Sequence, residues 1–456
     1  MNLWLIPLAL LVFLSSVAFV PTPSPWVDPA DALNSGDIAW MLTATGLVLL
    51  MTPGLSLFYG GMIGTRNIIS TMLQSFICLG VVSIVWVIVG FSLAFGDSFS
   101  GIIGNPLTFL FFKDVGSEPN PSFGATIPFV LFALFQMKFA IITPALITGA
   151  FAERVRFSGY LLFIALFSLL IYAPVAHWAW HPEGFLRNSG VLDFAGGTVV
   201  HTVAGFAALA GALFLGRRKS HRDGESVIPA NIPFVLIGTG MLWFGWFGFN
   251  AGSALAANHI ACRAFLTTNT ASAAAMLTWI FFEGAQRKKP TALGACIGAV
   301  VGLVAITPAA GYVSISASIF IGVTASLISS LCVKLKSRFP LDDTLDVFPC
   351  HGIGGMVGMV LTAVFADEEG LIYGQYELII NHILCLAIVG GFSFLSSYAL
   401  YWITDQIIPL RVTEEEEREG LDRSQHGEWF GGDSLSDLCT RQNLLRPNRL
   451  KQIEKL

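Results

Sequence analysis

Charge is scarce in this sequence: only 12% of its 456 residues are Asp, Glu, Lys or Arg. So few charged groups cannot cover a soluble protein of that length. The net charge of -5 comes largely from the loops and the C-terminal tail, and no basic stripe with interleaved aromatics occurs, which argues against a nucleic-acid partner. The seven cysteines are an odd number without CxxC or zinc-ligand spacing, so they read as small buried hydrophobes. Also missing are a nucleophile motif, a metal-ligand cluster and a phosphate-binding glycine loop, which leaves an enzyme without chemistry to run. What the chain does have is apolar length. Hydrophobic residues make up 54% of it, in runs of about twenty, the length a helix needs to cross about 30 Å of hydrocarbon.

The first run, residues 1–18, ends in Ser16-Val17-Ala18 ahead of a proline-rich stretch to Pro29. It reads as a signal peptide, and a retained first helix is the alternative. Eleven further apolar segments follow, at about 39–59, 71–94, 125–150, 159–180, 195–215, 232–249, 259–282, 291–307, 312–335, 347–365 and 379–404. The expectation is therefore an all-α membrane protein with eleven transmembrane helices. Lys and Arg fall in alternate loops: Arg66; Arg154 and Arg156; Arg217, Arg218, Lys219 and Arg222; Arg287 to Lys289; Lys334, Lys336 and Arg338. By the positive-inside rule these loops face the cytoplasm, with the N-terminus outside and the tail inside. The domain reading is a membrane domain over residues 36–408 and a cytoplasmic tail over 409–456.

Of eight histidines, only His201 and His351 lie inside apolar segments. An ionisable group at membrane depth is expensive and by default faces a cavity or a partner. The unremarkable explanation is two unrelated histidines bonded to neighbouring helices. Their surroundings argue otherwise: His201 follows Asp193-Phe194 in a glycine-rich run, and His351 follows Asp346-Val347-Phe348 in another. One polar motif from each half of the chain suits a 5+5 inverted pseudo-repeat plus one extra helix, the plan by which transporters build a midplane site.

Six ordered stretches carry a resemblance: FQMKFA (135–140), GAFAERVRFS (149–158), DFAGGTVVH (193–201), GWFGFNAGSA (245–254), GLVAITPAAGYV (302–313) and LDVFPCHGIGG (345–355). Together they resemble the ammonium transporter (Amt/Mep/Rh) family, Amt branch, from about Trp40 to Glu428. The resemblance implies the ammonium transporter fold, a homotrimer with one pore per subunit, no cofactor and no catalysis. It implies residence in the cell (inner) membrane of a bacterium. His201 and His351 become a hydrogen-bonded pore pair. Phe139, Trp180 and Ser253 become an outer ammonium site, Phe139 and Phe249 a gate of stacked rings, and Trp246 and Phe135 their surroundings. Asp193 shapes the site without touching the substrate. The tail sequence RVTEEEEREGLDRSQHGE (411–428) resembles a cytoplasmic regulatory tail, which implies contact with a neighbouring subunit and a PII-type signalling protein as a further partner.

These residue types suit the task. A small cation is drawn to aromatic faces by about 0.5 to 2 kcal/mol, and a serine hydroxyl accepts one of its N–H groups. Removing a proton from an amine of pKa about 9 to 10 costs roughly 3 to 4 kcal/mol at pH 7, against an idealised penalty of order 20 kcal/mol for taking the ion into an apolar passage. Lys138 departs from the pattern. One residue from Phe139, it points about 100° away and is expected to face another helix or snorkel outward, while a sharper alternative puts its ammonium head at the outer site. Pro349 is expected to cap the tenth segment. Two rival functions remain: an ammonium sensor of the same fold, and a neutral-gas channel of the Rh type, against which the Trp180, Phe139 and Ser253 matches argue.

Overall fold

The computed structural model describes residues 4–19, 32–225, 227–287 and 289–431. All eleven apolar segments are helical. After α1 (Leu5–Ser15) come α2 (Ser35–Met62), α3 (Ile68–Phe95), α4 (Phe129–Phe151), α5 (residues 157–180), α6 (Gly197–Leu215), α7 (Ile232–Gly252), α8 (His259–Arg287), α9 (Ala292–Ile306), α10 (Ile315–Lys336), α11 (Phe348–Phe365) and α12 (Glu377–Ile407). Among the described residues, ten of these helices are long and apolar enough to cross a membrane. α9, with 15 residues, extends only about 22 Å at 1.5 Å per residue. The chain is a multi-pass membrane protein.

Several helix starts are written in the sequence. Asn34 accepts from the Gly36 and Asp37 amides, Asn231 from Phe234, Thr291 from Gly294 and Ser314 from Ala317, each satisfying donors that the first helical turn leaves open. α4 is the hub, buried along nearly its whole length and packed between α2, α3 and α6. Outward-facing side chains such as Phe76, Leu170, Phe244, Phe281, Leu395 and Trp402 are apolar and exposed, a surface made for hydrocarbon. Over one end of the bundle lies a short hairpin, Ser98–Phe99 paired with Ile103–Gly104, held down by Trp178, whose indole N–H donates to the Ile102 carbonyl at 2.6 Å.

At the opposite end the tail folds back on the loops of its own chain as α13 (Glu414–Glu419) and α14 (Leu421–His426). Asp422 accepts from the backbone amides of Ile69 at 3.1 Å and Ser70 at 2.7 Å, and the Leu421 amide donates to Asn67 Oδ1 at 2.8 Å. The remainder of the expected tail, 432–456, lies outside the described residues. Residues of α1 are exposed along the helix, as suits either a signal peptide or a retained helix.

Asp193 and Asp343 each stand eight residues before a histidine and cap the turn that carries it. Asp346 instead adopts a left-handed backbone, with φ 58°, and pairs with Lys336.

Candidate functional site

Both intramembrane histidines sit on widened, π-type helical turns, Gly197–Thr202 at the start of α6 and Phe348–Ile353 at the start of α11. Such turns are rare and concentrate at functional sites. Asp193 supports the first. Its Oδ1 accepts from the Gly196 and Gly197 amides at 2.9 and 2.6 Å, and its Oδ2 from the Thr198 amide at 2.8 Å and from the Thr198 hydroxyl. Gly196 has φ +111° and a Cβ there would lie 2.7 Å from Val200, so glycine is required. Asp343 supports the second turn, accepting from Val347 at 3.0 Å and Phe348 at 2.8 Å. Pro349 stands in the first turn of that helix, where no partner exists for a backbone N–H and proline is at home.

The turns bring the imidazoles together. Nδ1 of His201 lies 3.4 Å from Nδ1 of His351, with ring centres 5.4 Å apart and planes inclined by 27°. Both rings are buried, and His201 Nε2 has no protein partner. An Nδ1–Nδ1 contact requires one nitrogen to carry the proton and the other to be bare, so the two outward Nε2 atoms present one acceptor and one donor. Close approach of the helices makes this possible: a Cβ on Gly205 would fall 2.2 Å from Gly352 Cα.

Above the pair is a column of aromatic rings. The Trp246 ring stacks on His201, centres 5.4 Å apart at 18°, and its indole N–H donates to Thr307 Oγ1 at 2.9 Å. Phe249 and Phe139 stack at 4.2 Å and 29°, and Phe135 meets Phe139 edge-on at 4.9 Å. Phe139 and Phe249 are both buried. Beyond them, at the end away from the tail, opens a vestibule of about 500 Å³ lined by Phe139, Trp180, Ser253, Asp193, Gln136 and Phe132 among others. Trp180 stands perpendicular to Phe139, centres 5.6 Å apart. Its indole N–H is committed to the Asp193 carbonyl at 3.1 Å, which leaves the ring face for the cavity. Ser253 donates its hydroxyl proton to the Phe249 carbonyl at 2.9 Å, so its lone pairs remain free to accept.

The sequence pattern of the Ammonium Transporter Family matches residues 39–429. The chain belongs to that family. It is 48% identical to an ammonium transporter of Aquifex aeolicus over 403 residues, covering 87% of this chain and 93% of that one. In structure it is similar to Candida albicans Mep2, with a TM-score of 0.81 at 32% identity, covering 86% and 89% of the two chains. It is also similar to a protein described as a Sensor Amt Protein, with a TM-score of 0.79 at 31% identity over 86% and 98%.

In this ammonium transporter Lys138 stays out of the vestibule. It is half-buried, with its ammonium group 3.8 Å from Met137 Sδ, and it is absent from the cavity wall. The sharper expectation for it is therefore not supported. Two residues escaped the sequence reading: Thr307 as the anchor of Trp246, and Gln136 in the vestibule wall. Gln136 was visible as a polar residue inside an apolar span, the signal that singled out the histidines.

At the tail end a buried charge cluster fixes the loop that leads into α11. Arg218 pairs with Glu153 and, in a forked contact at 2.9 Å, with Asp342, while Arg154 donates to the Asp342 carbonyl and to Thr344 Oγ1. Burial lowers the Arg154 guanidinium to about 10, against the pull of Asp342. Burial acts to raise the Asp342 carboxyl, but the Arg218 hydrogen bonds and the charges of Arg154 and Arg218 hold it well below the usual carboxylate range.

Proposed function

We propose that this member of the ammonium transporter family recruits ammonium in the vestibule, where it gives up a proton to the water filling that cavity, and passes neutral ammonia between Phe139 and Phe249 to the histidine pair. One observation carries this reading: the stacked rings of Phe139 and Phe249 separate the vestibule from two buried imidazoles in mutual contact. The vestibule offers a cation the faces of Trp180 and Phe139 and the free lone pairs of Ser253. Among the described residues, Trp246, His201 and His351 wall the passage past the rings, and rings in place of an oxygen shell exclude potassium. Ammonia needs only a donor and an acceptor, and two neutral imidazoles supply both. Asp193 acts through the turn it caps and does not touch the substrate.

The wider proposals follow from the same reading. α2 to α12 are eleven spans, α9 reaching the far surface through the segment that follows it, arranged as 5+5 inverted repeats plus one. Residues 1–18 are a signal peptide, 36–408 the membrane domain and 409–456 a cytoplasmic tail. The vestibule faces outward and the tail inward in a cell (inner) membrane, as the Lys and Arg distribution supports. The assembly is a homotrimer, and the tail face is the docking surface for a PII-type signalling protein. A sensor shares this fold, and no feature of the site favours that role over transport.

The test is labelled-ammonium uptake and current in proteoliposomes holding the purified protein. Replacing both His201 and His351 by alanine is expected to change the ammonium rate and to weaken discrimination against potassium. An unchanged rate together with unchanged selectivity would remove the histidine pair from the mechanism.

A further inference from the structure

The vestibule contains a polar group that the reading above does not use. Gln136 lies on α4 three residues before Phe139, and so on the same helical face. It is 9% exposed, lines the vestibule beside Phe139, Trp180 and Ser253, and its Oε1 has no hydrogen-bond partner. Unpartnered buried amide oxygens also occur at Gln74 and Asn250, but neither lines this cavity. Buried side-chain amides are normally bonded, and this one, with an oxygen that has no partner, belongs to a residue on the cavity wall.

We propose that the Gln136 side-chain oxygen accepts an N–H of ammonium and completes the vestibule site. The inference rests on the vestibule being the recruitment site. Ammonium presents four N–H groups in a tetrahedron. Ser253 Oγ accepts one, since its own proton is held by Phe249, and the ring faces of Phe139 and Trp180 attract others. Gln136 Oε1 takes a further one. Rotating the terminal amide by half a turn exchanges oxygen and nitrogen without changing the space occupied, so the acceptor can be turned to the cation at little cost in packing. Two oxygens and two aromatic faces suit a directional donor. Potassium, which requires a shell of oxygens, gains little from the same set. Methylammonium, with three N–H groups, cannot fill every acceptor, so Gln136 contributes to discrimination between the two amines.

The experiment compares Gln136→Leu, Ser253→Ala and the unaltered protein in proteoliposomes, measuring KM and maximal rate for ammonium and methylammonium. Gln136→Leu is expected to raise the ammonium KM at least about tenfold, the factor set by loss of one charge-assisted hydrogen bond, while the maximal rate stays within twofold. The preference for ammonium over methylammonium should narrow. An unchanged KM, or equal loss of maximal rate for both amines at unchanged KM, overturns the proposal, because either marks Gln136 as a structural residue. Ser253→Ala separates the two levels. If it raises KM and Gln136→Leu does not, the Gln136 inference fails alone; if neither does, the recruitment site fails with it. Should the leucine variant not fold, Gln136→Glu gives the answer, since it keeps the shape and adds charge. It is expected to lower the ammonium KM and to let potassium compete, and no change in either overturns the proposal.

Discussion

Gly205→Ala tests the geometry on which the histidine pair depends. The new methyl carbon would lie 2.2 Å from Gly352 Cα and 2.3 Å from Gly352 N, where ordinary carbon contacts stand at about 3.5 Å or more. Backbone cannot turn aside as a side chain can, so α6 and α11 must separate by about 1 Å. His201 lies four residues before Gly205, and His351 immediately before Gly352. Their Nδ1 atoms, already 3.4 Å apart, would pass beyond hydrogen-bond reach. Overpacking of this kind costs about 1–3 kcal/mol, and a misplacement of about 1 Å at reacting groups costs tenfold or more in rate. The assay is uptake in proteoliposomes beside a thermal unfolding curve. Gly352→Ala is the control, because its methyl would meet the ring of partly buried Phe348 at 2.7 Å, a side chain rather than backbone. Its effect should be smaller on both measures. Wild-type uptake and midpoint in Gly205→Ala would refute the reasoning, as would equal losses in the two variants.

Lys138→Thr should leave the ammonium KM and rate within twofold, because the Lys138 ammonium group lies against Met137 and away from the vestibule; faster uptake would show that it reaches the site. Phe249→Ala removes one of the two stacked rings and is expected to admit potassium, read as a potassium current that the unaltered protein lacks. Asp342→Asn leaves buried Arg154 without its carboxylate and Arg218 with Glu153 alone, and should destabilise the protein by about 3–5 kcal/mol, seen as a lower unfolding midpoint. Because the folded-state pKa of Asp342 is depressed, its contribution is present above the unfolded value of about 3.9 and is lost only as pH falls through the lower folded value. The Asp342 contribution should therefore be the same at pH 7 and pH 5, so the midpoint difference between Asp342→Asn and the unaltered protein should hold across that range; a gap that narrows towards pH 5 would contradict the assignment.

Most of the helix pattern could be read from hydropathy, because crossing hydrocarbon demands apolar length and little else imitates it. The fifth segment, expected at 195–215, is helical over Gly197–Leu215, and the tenth, expected at 347–365, over Phe348–Phe365. Backbone detail was less accessible. A widened turn changes which carbonyl an amide reaches and leaves no mark on hydropathy, so the turns under His201 and His351 could not be foreseen. Which carboxylate caps the turn under His351 stays open in the sequence for a related reason. Asp343 and Asp346 stand three residues apart in one short loop, and only the three-dimensional turn decides which of them meets the α11 amides. The vestibule trio of Phe139, Trp180 and Ser253 does line a single cavity, although its members lie on α4, at the end of α5 and just past α7. Gln136 stands out less in the sequence than the histidines, because a neutral amide does not titrate.

The docking of Asp422 on α3 has a consequence for how tail truncations are interpreted. That carboxylate caps a transmembrane helix from more than three hundred positions further along the chain. Cutting the protein short before it would strip the opening turn of α3 of its borrowed acceptor, and Asn67 of its bond with Leu421. A shortened variant that moves less ammonium would thus report a frayed helix as much as a missing regulator, and the two are told apart by restoring a carboxylate within reach of those amides.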